Sequence, residues 1–248
     1  MTLFAFSRGG NKVNRYLAIY FFIVSLYVLV HYTIVFSGNV FWIAIAFINP
    51  SFLFLLPGPI LYFYVRGTLT GKTKLDKKDW LHFLPAVIHF LLITPWLFTD
   101  FDTKQALART IVEVPDSIFQ NEYFHSVISF YSSFLLRSFM GIGYAAYCMI
   151  LIYKHHQHRL SIANKHQHHA VIWLNLFVFT QVMLFIAYMA SVIISYNDST
   201  ESLLIGHGSL FHISQGMVLV LLQIILLIFP WALYGIPRRL TGAAVATA

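Results

Sequence analysis

Charged side chains are scarce in this sequence. Asp, Glu, Lys and Arg make up 10% of 248 residues, against 58% hydrophobic residues. A water-soluble domain carries about 25% charged residues, because its surface must be wetted. With less than half that share, the chain cannot cover a globule of its size with polar surface, so the apolar excess must face lipid. Cysteine is almost missing as well. A single Cys148 excludes an intramolecular disulfide and carries no message about an oxidising compartment. The sequence also lacks GxSxG, HExxH, a phosphate-cradling glycine loop and paired carboxylates inside an apolar run. No enzyme class is therefore indicated, and no cofactor is expected. Internal repeats are absent, which weighs against a transporter built on them. Met1 to Phe6 is apolar but too short to span, and without a signal-peptide pattern it reads as a stub or interfacial segment.

What the sequence does contain is long uncharged runs. A membrane-crossing helix needs about 20 mostly apolar residues to pass about 30 Å of hydrocarbon. Six runs qualify: Tyr16 to Phe36, Val40 to Val65, Trp80 to Thr99, Tyr123 to Tyr153, Ala170 to Tyr196 and Leu210 to Tyr234. Backbone groups in lipid must be satisfied within their own segment, so these are helices. Strands would be about half as long and would alternate in polarity. The expected fold is all-α, a polytopic bundle of about six spans. A basic N-terminal segment (1–15) precedes the bundle (16–237), and a short tail (238–248) follows it.

The few charges are sorted by side. Arg8, Lys12 and Arg15 precede the first span, and Arg66, Lys72, Lys74, Lys77 and Lys78 follow the second. Lys154, Arg159 and Lys165 lie between the fourth and fifth spans, and Arg238 and Arg239 follow the sixth. Only Asp76 and Asp79 oppose them on that side. The alternate loops hold Lys104 and Arg109 among the acids Asp100, Asp102, Glu113, Asp116, Glu122, Asp198 and Glu201. Lysine and arginine gather on the cytoplasmic side of a membrane, so both termini are expected in the cytoplasm. The net charge of +7 is then topology plus attraction to anionic lipid. Direct nucleic-acid binding is not expected, since the basic loops are short and lack interleaved aromatics.

Several features fall inside the spans. Asn49-Pro50 and Pro57-Gly58-Pro59 interrupt the second. Proline removes a backbone donor and clashes with the preceding turn, so this helix must kink or break. The break either lines a ligand cavity near Pro57, Gly58 and Pro59 or merely shapes packing. Arg137 lies deep in the fourth span, where a charge costs about 2.5–3.5 kcal/mol or more. It faces the bundle or snorkels outward, with Glu122, a neutral acceptor or an anionic ligand as partner. It is the strongest single-residue candidate for a ligand contact.

Histidines form the remaining group. His31, His89, His125, His207 and His212 lie in or near spans, where an isolated buried imidazole is usually a hydrogen-bonded core residue. His212 is retained as a ligand-site candidate. His155, His156 and His158, with His166, His168 and His169, crowd the fourth connection. Such a cluster suits zinc, nickel or copper, and membrane di-iron enzymes carry histidine boxes. Interleaved lysine and arginine would repel a cation, however, so a solvated basic loop is the plainer reading. A metal- or haem-binding membrane oxidoreductase is the second functional reading, and a small transporter the third.

Two stretches carry a resemblance. Leu56 to Phe90, LPGPILYFYVRGTLTGKTKLDKKDWLHFLPAVIHF, resembles the membrane-embedded N-terminal region of bacterial AraC-type transcriptional regulators. Phe229 to Arg238, FPWALYGIPR, looks like the end of that region, and RGGNKVNRYLAIYFFI from Arg8 is similar to its basic linker and next helix. The resemblance implies a sensor or anchor module in the bacterial cytoplasmic (inner) membrane. Members of that family carry about seven membrane helices and then a cytoplasmic pair of helix-turn-helix motifs. Here only LTGAAVATA follows Arg239, with no room for such a motif, and the tail reads as a truncated or frame-shifted gene. Expected partners are the lipid bilayer, a small-molecule ligand, and a cytoplasmic protein or separate helix-turn-helix domain. A homo-oligomer is left open.

Overall fold

The computed structural model describes residues 12–114, 126–159 and 165–197, with single positions between 216 and 228. In chain order it contains α1 (Asn14–Phe36), α2 (Val40–Ala46), a 3₁₀ turn (Ser51–Leu55) and α3 (Pro57–Thr70). A second 3₁₀ turn (Lys77–Phe83) leads into α4 (Leu84–Leu97), followed by α5 (Phe101–Glu113), α6 (Phe130–Arg159) and α7 (Lys165–Asn197). Among the described residues there is no strand. Four stretches are long and apolar enough to cross a membrane: Asn14–Phe36, Lys77–Leu97, Tyr131–His155 and Val171–Ala190. Their outer surfaces carry Phe22, Leu29, Leu91, Phe139 and Phe179, all exposed. Apolar surface on this scale belongs against lipid. The chain is an all-helical protein with the character of a membrane protein.

The second apolar run is not one helix. Asn39 caps α2 by accepting a hydrogen bond from the Trp42 amide at 3.2 Å. Seven residues later the helix stops, because Pro50 disfavours helical backbone at the residue before it. Ile48 takes a φ of 62°, a left-handed conformation that is costly for a β-branched residue. Asn49 Nδ2 donates to the Ile45 carbonyl at 2.8 Å and so replaces one lost helical bond. Pro57 then occupies the first turn of a new helix, where its missing N–H costs nothing. Gly71, with φ of 74°, ends α3 in a left-handed cap.

Three boundaries differ from the sequence reading. Residues 101–113, expected in a loop, form α5. Asp100 caps it by accepting from the Thr103 amide at 2.8 Å, and Lys104, Leu107, Ala108 and Ile111 are buried along one helical face. The fourth helix begins at Phe130 rather than Tyr123, residues 115–125 lying outside those described. Most of the segment expected as a histidine-rich loop is helical, since α6 continues to Arg159 and α7 begins at Lys165. The sixth expected span, Leu210 to Tyr234, falls outside the described residues except for single positions.

α1, α3, α6 and α7 converge on one core built around Leu17, Tyr20, Phe63, Cys148, Trp173 and Phe177. Two hydrogen bonds cross it: Tyr20 Oη donates to Gln181 Oε1, and Trp173 Nε1 donates to Tyr64 Oη at 2.8 Å. A second core joins α2, α4 and α5 through Ile43, Phe47, Ile93, Trp96 and Ile111. Between α3 and α4, Arg66 grips Asp79 with both arms, Nη1 to Oδ1 at 2.7 Å and Nη2 to Oδ2 at 3.0 Å. Asp79 Oδ2 also accepts from the Asp76 amide at 2.8 Å, closing a reciprocal cap on the turn. The block that carries the family resemblance is thus a stapled hairpin.

Candidate functional site

Arg137 sits on the inner face of α6 and is 7% exposed. It turns into the bundle and does not reach outward. One turn earlier on α6, Ser133 Oγ accepts from Arg137 Nη2 at 2.8 Å. The same oxygen lies 2.6 Å from His89 Nε2 on α4, making a buried chain of three polar groups. The guanidinium carbon is 4.6 Å from the Phe134 ring centre and 5.5 Å from that of Phe54. Aromatic faces attract a cation, more so when it is desolvated, and they hold the charge in place without neutralising it.

Its charge has no counterpart among the described residues, where the ion pairs are Arg66–Asp79 and Lys72–Asp76. Arg137 Nε makes no hydrogen bond. The neutral acceptor expected from sequence is therefore Ser133, while Glu122 lies outside the described residues.

Beside Arg137 lies an elongated apolar cavity of about 200 Å³. Tyr20, Val24, Tyr27, Val28 and His31 line it from one face of α1, and Leu184, Phe185 and Tyr188 close it from α7. Phe54 and Pro57 form its base at the broken second segment. A smaller hollow of about 30 Å³ adjoins, lined in part by Ile48, Ser51 and Phe134. The two share Tyr27, His31, Phe54 and Arg137.

Of the residues singled out from sequence, the fold brings Arg137 and Pro57 to the same cavity wall. Gly58 instead marks a close helix approach: a Cβ there would sit 2.7 Å from Tyr144 Cδ2 on α6. Pro59 is buried within α3 and does not line the cavity. His212 lies outside the described residues. His155, His156 and His158 fall in the last turns of α6, and His166, His168 and His169 in the first turns of α7. Among the described residues no group of three metal-ligating side chains is assembled. Sequence reasoning missed Tyr27, Ser51, Ser133 and Tyr188. The spacing of Tyr20, Val24, Tyr27 and His31 marks one helical face, but no sequence signal joins that face to Arg137.

The chain matches no family model, no curated protein and no solved structure. The functional reading therefore stands on the site itself and on the resemblance quoted above.

Proposed function

We propose that this chain is the membrane-embedded sensor or anchor module of a signalling protein of the transcription-regulator type. The observation that carries the reading is the buried Arg137 on the wall of a cavity at the broken second segment. An ionisable residue within a membrane bundle marks a functional site by default, because its burial is costly. A concave, mostly apolar pocket with a few convergent polar groups is the usual form of a small-molecule site. In this reading the bundle has six crossings, the second of them broken, and both termini are cytoplasmic in a bacterial inner membrane. The sidedness of lysine and arginine supports that arrangement.

The same elements offer a route for a signal. Pro57 opens α3 at the cavity, and Arg66 closes it at the hairpin, stapled to Asp79. Between them Gly58 lies tight against Tyr144 of α6, whose hydroxyl hydrogen-bonds His82 Nδ1 at 2.7 Å. A ligand that wedges α1 from α7 shifts α3 against α6 at this contact and moves the hairpin. The hairpin then alters what a cytoplasmic domain or partner meets. A thermal-stability screen of the purified chain against apolar and amphiphilic small molecules tests the reading. Stabilisation of the wild type that is lost in the cavity-filling Val24→Trp variant is the expected result. No stabilisation by any compound counts against sensing.

A further inference from the structure

Two buried arginines in this chain have opposite surroundings. Arg66 has a two-armed carboxylate partner, whereas Arg137 meets a serine, the Tyr188 hydroxyl and two aromatic faces, none of them charged. The 30 Å³ hollow beside Arg137 is lined by three residues that each hold a buried polar atom without a hydrogen bond. These are Arg137 Nε, Ser51 Oγ and Tyr27 Oη. The guanidinium can only donate, and both hydroxyls can donate. Buried polar groups are hydrogen-bonded as a rule; the Tyr188 hydroxyl faces that of Tyr27, so Arg137 Nε and Ser51 Oγ are the two donors that call for an acceptor. The hollow has room for about two waters, which is also the scale of one carboxylate group. Ser51 reaches it only because the chain breaks between α2 and the first 3₁₀ turn.

The larger cavity supplies the other half of the ligand. Its wall runs from Tyr20 to Phe36 of α1, about 24 Å at about 1.5 Å per residue. A cavity of about 150 Å³ takes a benzene, so about 200 Å³ drawn out along one helix fits one hydrocarbon chain and not two. Val28, Tyr32 and Phe36 line it yet remain exposed on α1. Among the described residues the cavity opens sideways there, and Gly216 also lines it.

We propose that the two hollows form one site for a single-chain amphiphile with an anionic headgroup, a medium-chain fatty acid being the simplest. The carboxylate sits against Arg137 and Ser51, and the chain lies along α1 between Tyr20 and Phe185. This rests on the sensing role proposed above and names its ligand class. The headgroup completes the hydrogen bonding of Arg137 and offsets its unpaired charge, and the tail fills the cavity. Bilayer-dissolved acid enters sideways, past Tyr32.

The test uses the full chain in nanodiscs of zwitterionic lipid, with carboxyl-¹³C decanoate, decanol, acetate and phosphatidylglycerol as probes. Decanoate is expected to bind about tenfold or more tightly than decanol, as a charge-assisted hydrogen bond implies. Its ¹³C resonance should shift on binding. Arg137→Met should erase the preference while leaving decanol binding intact, and Ser51→Ala should weaken decanoate several-fold. If Arg137→Met fails to fold, Ser51→Ala carries the comparison. Equal binding of decanol and decanoate overturns the anionic headgroup but leaves a sensing cavity. Acetate binding as tightly as decanoate removes the tail, and displacement by phosphatidylglycerol removes the single chain. If no probe binds, the headgroup proposal and the cavity-based sensing role fall together.

Discussion

Arg66 and Arg137 are both buried, but truncating them has opposite consequences, because only Arg66 leaves a stranded carboxylate behind. Hydrogen bonds to a charged partner are worth about 1.5–3 kcal/mol, and Arg66→Met should destabilise the protein by an amount in that range. Arg137→Met removes a charge that has no carboxylate among the described residues, and Ser133 keeps its contact with His89. Replacing buried ionic groups with well-packed apolar side chains is often neutral or stabilising. Its melting temperature in detergent should therefore hold or rise, while that of Arg66→Met falls. A fall of equal size in both variants would mean that Arg137 is a structural staple like Arg66. At this scale the sequence was half legible. A lone arginine in an apolar run announces itself because its insertion is costly. Its neighbours Tyr27, Phe54, Ser133 and Tyr188 come from four separate segments, and beyond the i, i+4 step from Ser133 to Arg137 no spacing rule connects them.

The elements depend on a close helix contact made by glycine at Gly58. A Cβ at Gly58 would press on Tyr144 Cδ2 at 2.7 Å and on Tyr144 Cβ at 3.2 Å, close to the fixed root of that side chain. Gly143, one residue before Tyr144 on α6, has nothing within 4 Å of the same position. Gly58→Ala should thus cost about 1–3 kcal/mol by overpacking. Gly143→Ala should gain up to about 1 kcal/mol from helix propensity. Thermal melts of the two variants check the order, and equal effects would contradict the α3–α6 contact. Long apolar runs made α1, α4, α6 and α7 readable in advance, since length and hydropathy alone decide them. The break at Ile48 was foreseeable from Pro50, but its left-handed φ was not. α5 went unread because its apolar face is narrow and its flanks are acidic. The pattern Lys104, Leu107, Ala108, Ile111 behind an Asp100 cap was nevertheless there to be found.

For the whole molecule, the central claim is a membrane bundle that keeps its basic hairpin and the α6–α7 connection on one face. The broken second segment lets α3 return its hairpin to the side from which α1 starts. Charge sidedness is what points to this arrangement, because moving lysines and arginines across lipid is costly. The packing of α5 over α2 was invisible in the sequence, since it depends on two short amphipathic pieces meeting. Labelling of introduced cysteines in intact cells tests the claim most directly, in a Cys148→Ser background because Cys148 is the chain's one native thiol. Lys74→Cys and Lys154→Cys should resist a membrane-impermeant maleimide until the cells are opened, while Thr103→Cys should label at once. Labelling of Lys154→Cys from outside, with Lys74→Cys still protected, would contradict the topology and the sensing role built on it.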